Sequence, residues 1–200
     1  MGLILMKFLL ILFLTFCLQS LSKADDIKDF EIQGLSLGDS LLKIFSKEEI
    51  EKFMQNENQT NFYPKSKKYF TLSTPSKDKN FRQVNIDLKY LDESYTTYGI
   101  SQYKRMKVDE CIQEKDIAAN QISSLFSQNI EEEKYSKKHR GDKSGNTTVY
   151  NTDFRFKDGS YISLVCTDWG PEMEKNGYQD NLDVSVLDGI YVEWIINEAY

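Results

Sequence analysis

The side chains of this chain that could do chemistry are few and scattered. A nucleophilic serine or cysteine needs a base, and the single histidine, His139, lies between Lys138 and Arg140 in a charged stretch where nothing in the sequence orients its ring. Of three cysteines, Cys17 falls in an N-terminal apolar run, while Cys111 and Cys166 stand too far apart for zinc spacing. Asp180-Asn181-Leu182-Asp183 lacks the glycine and the terminal glutamate of a calcium loop, and no glycine-rich phosphate loop occurs. No metal and no cofactor are therefore expected. Carboxylates can do acid and base work, and Asp168, beside Trp169 at the end of a predicted strand, is where such a group could sit with its pKa raised by apolar neighbours. The same Asp168-Trp169-Gly170-Pro171 also reads as a plain strand exit, with Trp169 over the sheet edge.

Recognition has its own candidates. Tyr95 and Tyr103 are expected to share one strand face with Thr97 and Ser101, and Tyr98 and Ile100 the other; an open Tyr95 face would offer flat amphipathic contacts to a protein or glycan partner. Tyrosine and threonine also simply favour strands. Arg140-Gly141-Asp142 spells an integrin-type tripeptide in an expected loop, and Asn58-Gln59-Thr60 and Asn146-Thr147-Thr148 match the glycosylation sequon.

The compartment is read from the first residues. Lys7, the apolar run Phe8 to Leu18, and small residues at Ser22 and Ala24 form a signal peptide, with cleavage expected between Ala24 and Asp25. Eleven helical residues reach about 17 Å, short of a hydrocarbon core of roughly 30 Å, so no stable membrane insertion is expected after cleavage. Retention of the segment as an anchor is the alternative. Phe16 before Cys17 does not suit lipid attachment. The expected location is thus periplasmic or secreted. There Cys111 and Cys166 can pair, and the loop they close is worth roughly 4 kcal/mol in the chain-entropy model. Buried free thiols are the other reading.

Without Lys7 and Lys23 the chain keeps 23 basic against 31 acidic residues, a net charge near −8. Such a surface has no surplus of cations to displace phosphate counterions, which argues against nucleic acid and against docking on anionic lipid. Residues 25–200 suit one domain.

The elements that must position these groups follow from periodicity. Phe30-Glu31-Ile32 alternates like a short strand; two short helices are expected over about 39–45 and 47–54, the second opened by a Ser46-to-Glu49 capping box. Residues 55–80 read as a long loop with a brief strand from Tyr69 to Leu72. Arg82 to Tyr90 alternates cleanly, with Val84, Ile86 and Leu88 inward and Asn85, Asp87 and Lys89 outward, and Ser94 to Tyr103 should pair with it. The best helix spans about 107–127, with Cys111, Ile112, Lys115, Ala119 and Ile122 on its repeating face. Residues 130–146 read as a charged connector. Val149 to Phe156 and Tyr161 to Asp168 flank an Asp158-Gly159 turn as a hairpin, Leu182 to Val186 is a last strand, and a C-terminal helix carries Ile190, Trp194 and Ile195. The expected class is α+β: a mostly antiparallel sheet, with the long helix and the short N-terminal helix pair packed on one face.

The opening Phe30-Glu31-Ile32-Gln33-Gly34-Leu35-Ser36-Leu37-Gly38-Asp39-Ser40-Leu41-Leu42 and the ending Asn197-Glu198-Ala199-Tyr200 resemble those of small uncharacterised exported proteins of marine alphaproteobacteria, a resemblance that implies no activity. The glycine-to-helix opening is also similar to the small lipoprotein of the outer-membrane β-barrel assembly machinery, which implies two short helices on an antiparallel sheet but no function. The expected role is a non-enzymatic exported binding module for a protein or glycan partner. The alternatives are a secreted hydrolase using carboxylates, with Asp168 first, and an envelope structural protein tethered by its N-terminal segment.

Overall fold

The computed structural model describes residues 26–126 and 130–200. The expected signal segment and its Ala24–Asp25 junction lie outside these residues. The domain is α+β, built on one eight-stranded antiparallel sheet in the order β1-β2-β3-β4-β8-β7-β6-β5. Its strands are β1 (Thr60–Phe62), β2 (Tyr69–Pro75), β3 (Gln83–Lys89), β4 (Thr97–Arg105), β5 (Ile130–Lys138), β6 (Thr148–Phe156), β7 (Tyr161–Asp168) and β8 (Asn181–Leu187). The helices are α1 (Lys47–Met54), α2 (Val108–Leu125), α3 (Pro171–Lys175) and α4 (Gly189–Asn197). Each half of the sheet is a meander, and β8 enters between β4 and β7 to join them. Among the described residues no helix is long and apolar enough to cross a membrane.

One sheet face carries the core. Val84, Ile86, Leu88, Ile100, Phe154, Ile162, Leu164 and Val186 alternate onto it, and α2 covers it with Ala119, Ile122 and the following Phe126. The N-terminal segment closes the same cluster through Ile27, Leu35, Leu41 and Ile50. A disulfide joins Cys111 of α2 to Cys166 of β7, with Cα atoms 5.9 Å apart, beside buried Leu182. Lys115 also points at the sheet, its ammonium donating to Thr152 Oγ1 at 2.8 Å, which satisfies a buried charge-bearing group on an otherwise apolar helix face.

Several expectations are corrected. The long helix ends at Leu125 rather than near 127. Phe30-Glu31-Ile32 is not a strand: Ile32 and Leu35 exchange backbone hydrogen bonds across Gln33 and Gly34, both at positive φ, which makes a tight turn. The segment 39–45 holds only a 3-10 turn, Leu41–Lys43, capped by Ser40 Oγ. The long loop over 55–80 contains β1 as well as a full-length β2. Most consequential, the charged connector over 130–146 begins as strand β5, which pairs with β6 along its whole length. Both faces of an edge strand can meet water, so a charged sequence without apolar alternation still satisfies its backbone in the ladder.

The second face is not uniformly exposed either. Helix α4 lies across its β2–β4 end, where Tyr191, Trp194 and Ala199 pack with Tyr69, Tyr63 and Tyr98. Asp87 is therefore buried instead of solvated. The close approach depends on Gly189, where a Cβ would stand 2.3 Å from the Asp158 carbonyl oxygen in the β6–β7 turn.

Candidate functional site

Away from α4 the second face carries a row of polar residues, with Asp153 and Ser163 buried among them. Because directly paired residues of an antiparallel ladder share a face, the register lines up Asp153, Ser163, Ser185, Ser101, Asn85 and Ser73 in one row across six strands. Ser163 Oγ donates to Asp153 Oδ1 at 2.6 Å, the Tyr135 hydroxyl donates to Asp153 Oδ2 at 3.0 Å, and Ser73 Oγ donates to Asn85 Oδ1 at 2.8 Å. Burial and the Asp153 acceptor push the Tyr135 hydroxyl up to about 12, so it stays a donor at any ordinary pH.

Next to this row lies an open cleft of about 550 Å³. Its floor is Val149 and Asn151 of β6, Val165 and Thr167 of β7, and Asn181 and Asp183 of β8. Lys137 at the end of β5 and Arg140 just beyond give the rim cationic groups on an otherwise acidic chain; Lys138 and His139 also border it, but the Lys138 ammonium turns to Thr148 Oγ1 at 3.1 Å on the helix-facing side. Trp169 is the wall. Its indole lies between the tilted rings of His139, with centroids 4.8 Å apart, and Tyr178, 4.5 Å apart, while its backbone N–H donates to Asp180 Oδ1 at 2.8 Å. Among the described residues, two polar atoms on these lining residues, Asn151 Oδ1 and Trp169 Nε1, are buried without a hydrogen-bond partner. An unmade hydrogen bond of this kind costs about 1–3 kcal/mol. Asp183 is half-buried on the floor, and desolvation, with the charge of Asp87 added, pushes its carboxyl up to about 7. At neutral pH it can therefore donate or accept.

Loop chemistry holds the rim in place. Asp142 Oδ2 accepts from the backbone and hydroxyl of Thr147 at 2.8 and 2.7 Å, and Oδ1 accepts from the backbone and hydroxyl of Ser144 at 2.9 and 2.7 Å. These bonds hold its carboxyl well below the usual range. Thr147 Oγ1 in turn accepts from the Gly170 N–H at 3.0 Å, which ties the β5–β6 loop to the exit of β7. His139 Nδ1 accepts from the Gly141 N–H at 3.2 Å. The ring expected to be unoriented is thus held by its contact with Trp169 and by that amide. In Arg140-Gly141-Asp142 the carboxylate is buried and spent on its own loop, so the tripeptide does not present an acid to a receptor.

The expected site residues separate. Trp169 lines the cleft, but Asp168 shares the helix-facing side of β7 with Leu164 and Cys166. Its carboxyl is raised by burial, then by the charge of Asp180, against the lowering effect of Lys138. Tyr95 and Tyr103 do not share a face. The register of β3 with β4 slips between Asp87 and Leu88, so that Gly99 faces Asp87 and Thr97 faces Leu88. The extra residue reverses the alternation: Tyr95 is buried in the main core, Tyr98 packs under α4, and Tyr103 sits opposite Asp183 on the second face. Lys137, Lys138, Arg140, Asn151, Thr167, Asn181 and Asp183 were not anticipated as a site. The one signal for them was the polar residue recurring at alternate positions of β6, β7 and β8.

No known protein family matches this chain, and neither a curated protein nor a solved structure does.

Proposed function

We propose that this protein is an exported, non-enzymatic binding module that holds an acidic, hydroxyl-rich glycan in the cleft beside Trp169. The observation that carries the reading is the cleft itself, where Trp169 stands as an aromatic wall beside a polar floor that includes Asn151, Thr167, Asn181 and Asp183. Sugar rings present hydroxyl donors and acceptors to such a floor beside a C–H face that suits an indole. The lysine and arginine rim favours a ligand with carboxylates. The leader and the Cys111–Cys166 disulfide support an oxidising compartment, periplasmic or extracellular. Removal of residues 1–24 belongs to the same proposal; a protein that remains in the membrane pellet after a high-salt wash would support the tethered reading instead.

The test is capture from an envelope extract by the purified protein and by Val165→Phe, which fills the cleft floor. Enrichment of an acidic glycan by the first and its loss with the second is the expected result. Equal enrichment by both, or none by either, overturns the reading. Asp183 favours a second reading, a hydrolase with this carboxyl as its acid in place of Asp168. Turnover of the captured glycan that disappears in Asp183→Asn would establish it, and capture without turnover rejects it.

A further inference from the structure

Strand β5 ends the sheet with an edge that no strand or helix covers among the described residues. Its ladder to β6 runs over nine consecutive pairs without a register shift, it contains no proline, and its side chains are exposed except for half-buried Ile130 and Tyr135. The opposite edge, β1, has three residues. Proteins usually shorten, bulge or cover such an edge, because free N–H and C=O groups in line are a template for another strand. Charge is the remaining deterrent, yet here it is sorted by sign along the strand. Glu131, Glu132 and Glu133 fill the first half, and Lys137 and Lys138 end the second.

We infer that this edge is a homodimer interface in which β5 pairs antiparallel with β5 of a second copy about a two-fold axis at Tyr135. That register sets Glu133 against Lys137 of the second copy on the cleft face, and Glu132 against Lys138 on the helix face. Each pair recurs across the axis, as an isologous contact demands. A parallel arrangement would set glutamate on glutamate and lysine on lysine, so the charge order selects the antiparallel one. Within one chain Glu132 pairs with Lys134 at 2.8 Å, and Glu133 lies 3.8 Å from Arg155; both are exposed contacts that can be exchanged. The two sheets then run on as one, with both clefts on the same face and next to each other. This inference stands on the strand edge and does not depend on the ligand proposed for the cleft.

Sedimentation or light scattering at low salt should give the mass of a dimer, with the dissociation constant rising roughly tenfold or more at high ionic strength. Glu132→Lys with Glu133→Lys should be monomeric, and so should Lys137→Glu with Lys138→Glu. Mixing the two variants should restore a dimer, now a heterodimer. The mixture guards against misfolding, since only two folded chains with opposite edges can rescue each other. A monomeric native protein at low salt, dimers that persist in each variant alone, or a mixture that stays monomeric would overturn the inference.

Discussion

Asp87 is the residue whose environment differs most from its sequence context. It alternates with core residues on β3, but its carboxylate lies under α4, where Thr71 Oγ1 donates to Oδ1 at 2.6 Å and Tyr191 also hydrogen-bonds it. The Tyr191 hydroxyl is 2.5 Å from that of Tyr63, extending the cluster. Gly99 leaves the room, since a Cβ there would fall 2.3 Å from Asp87 Oδ2. Burial outweighs both hydrogen bonds and pushes the Asp87 carboxyl up from 3.8 to about 6. A raised carboxyl means that the folded state binds the proton more tightly, so its stabilising contribution is complete below the unfolded value and is lost as pH rises through about 6. Asp87→Asn should remove that dependence. Its melting temperature should vary less between acid and neutral pH, and at neutral pH it should gain about 2–3 kcal/mol over the native protein. A pH series of thermal melts checks both. Asn151 presents the opposite bargain, because an unpaired acceptor is kept at a cost to the free protein. Asn151→Val should raise stability in a denaturant titration by about 1 kcal/mol and abolish capture of the ligand.

At the scale of elements, two contacts decide where the helices sit. The disulfide fixes α2 to β7, and its strand neighbours Val165 and Thr167 point through the sheet into the cleft. Cys111→Ser with Cys166→Ser should cost roughly 3–4 kcal/mol in urea unfolding and loosen the cleft floor. Helix α4 depends on Gly189, and Gly189→Ala should lower stability by about 1–3 kcal/mol through contact with the Asp158 carbonyl, read as a fall in the urea midpoint. Most strands and the two large helices were legible, because apolar residues recur at two or at three and four. Strand β5 was not, since its sequence carries no apolar alternation and its pairing comes from the backbone of β6. The β3–β4 bulge was also invisible. One extra residue leaves the composition unchanged yet sends Tyr95 and Tyr103 to opposite sides.

Considered whole, the molecule is a sheet with one face given to its core and the other divided between a helix and a polar cleft. The cleft could not be assembled from motifs. Its rim follows β5, its floor crosses three strands, and its wall leaves β7, so residues as far apart as Lys137 and Asp183 meet only through strand order. The sequence by itself determined the α+β class, the placement of α2 and the β6–β7 hairpin, and the availability of Cys111 and Cys166 for pairing, because periodicity, turn chemistry and residue type act over a few neighbours. Only the tertiary structure decided that β8 lies between β4 and β7, that Asp87 is buried while Asp183 faces a cleft, and that a charged segment forms an edge. Those outcomes rest on which strands share hydrogen bonds across long stretches of chain, and no local pattern encodes that choice.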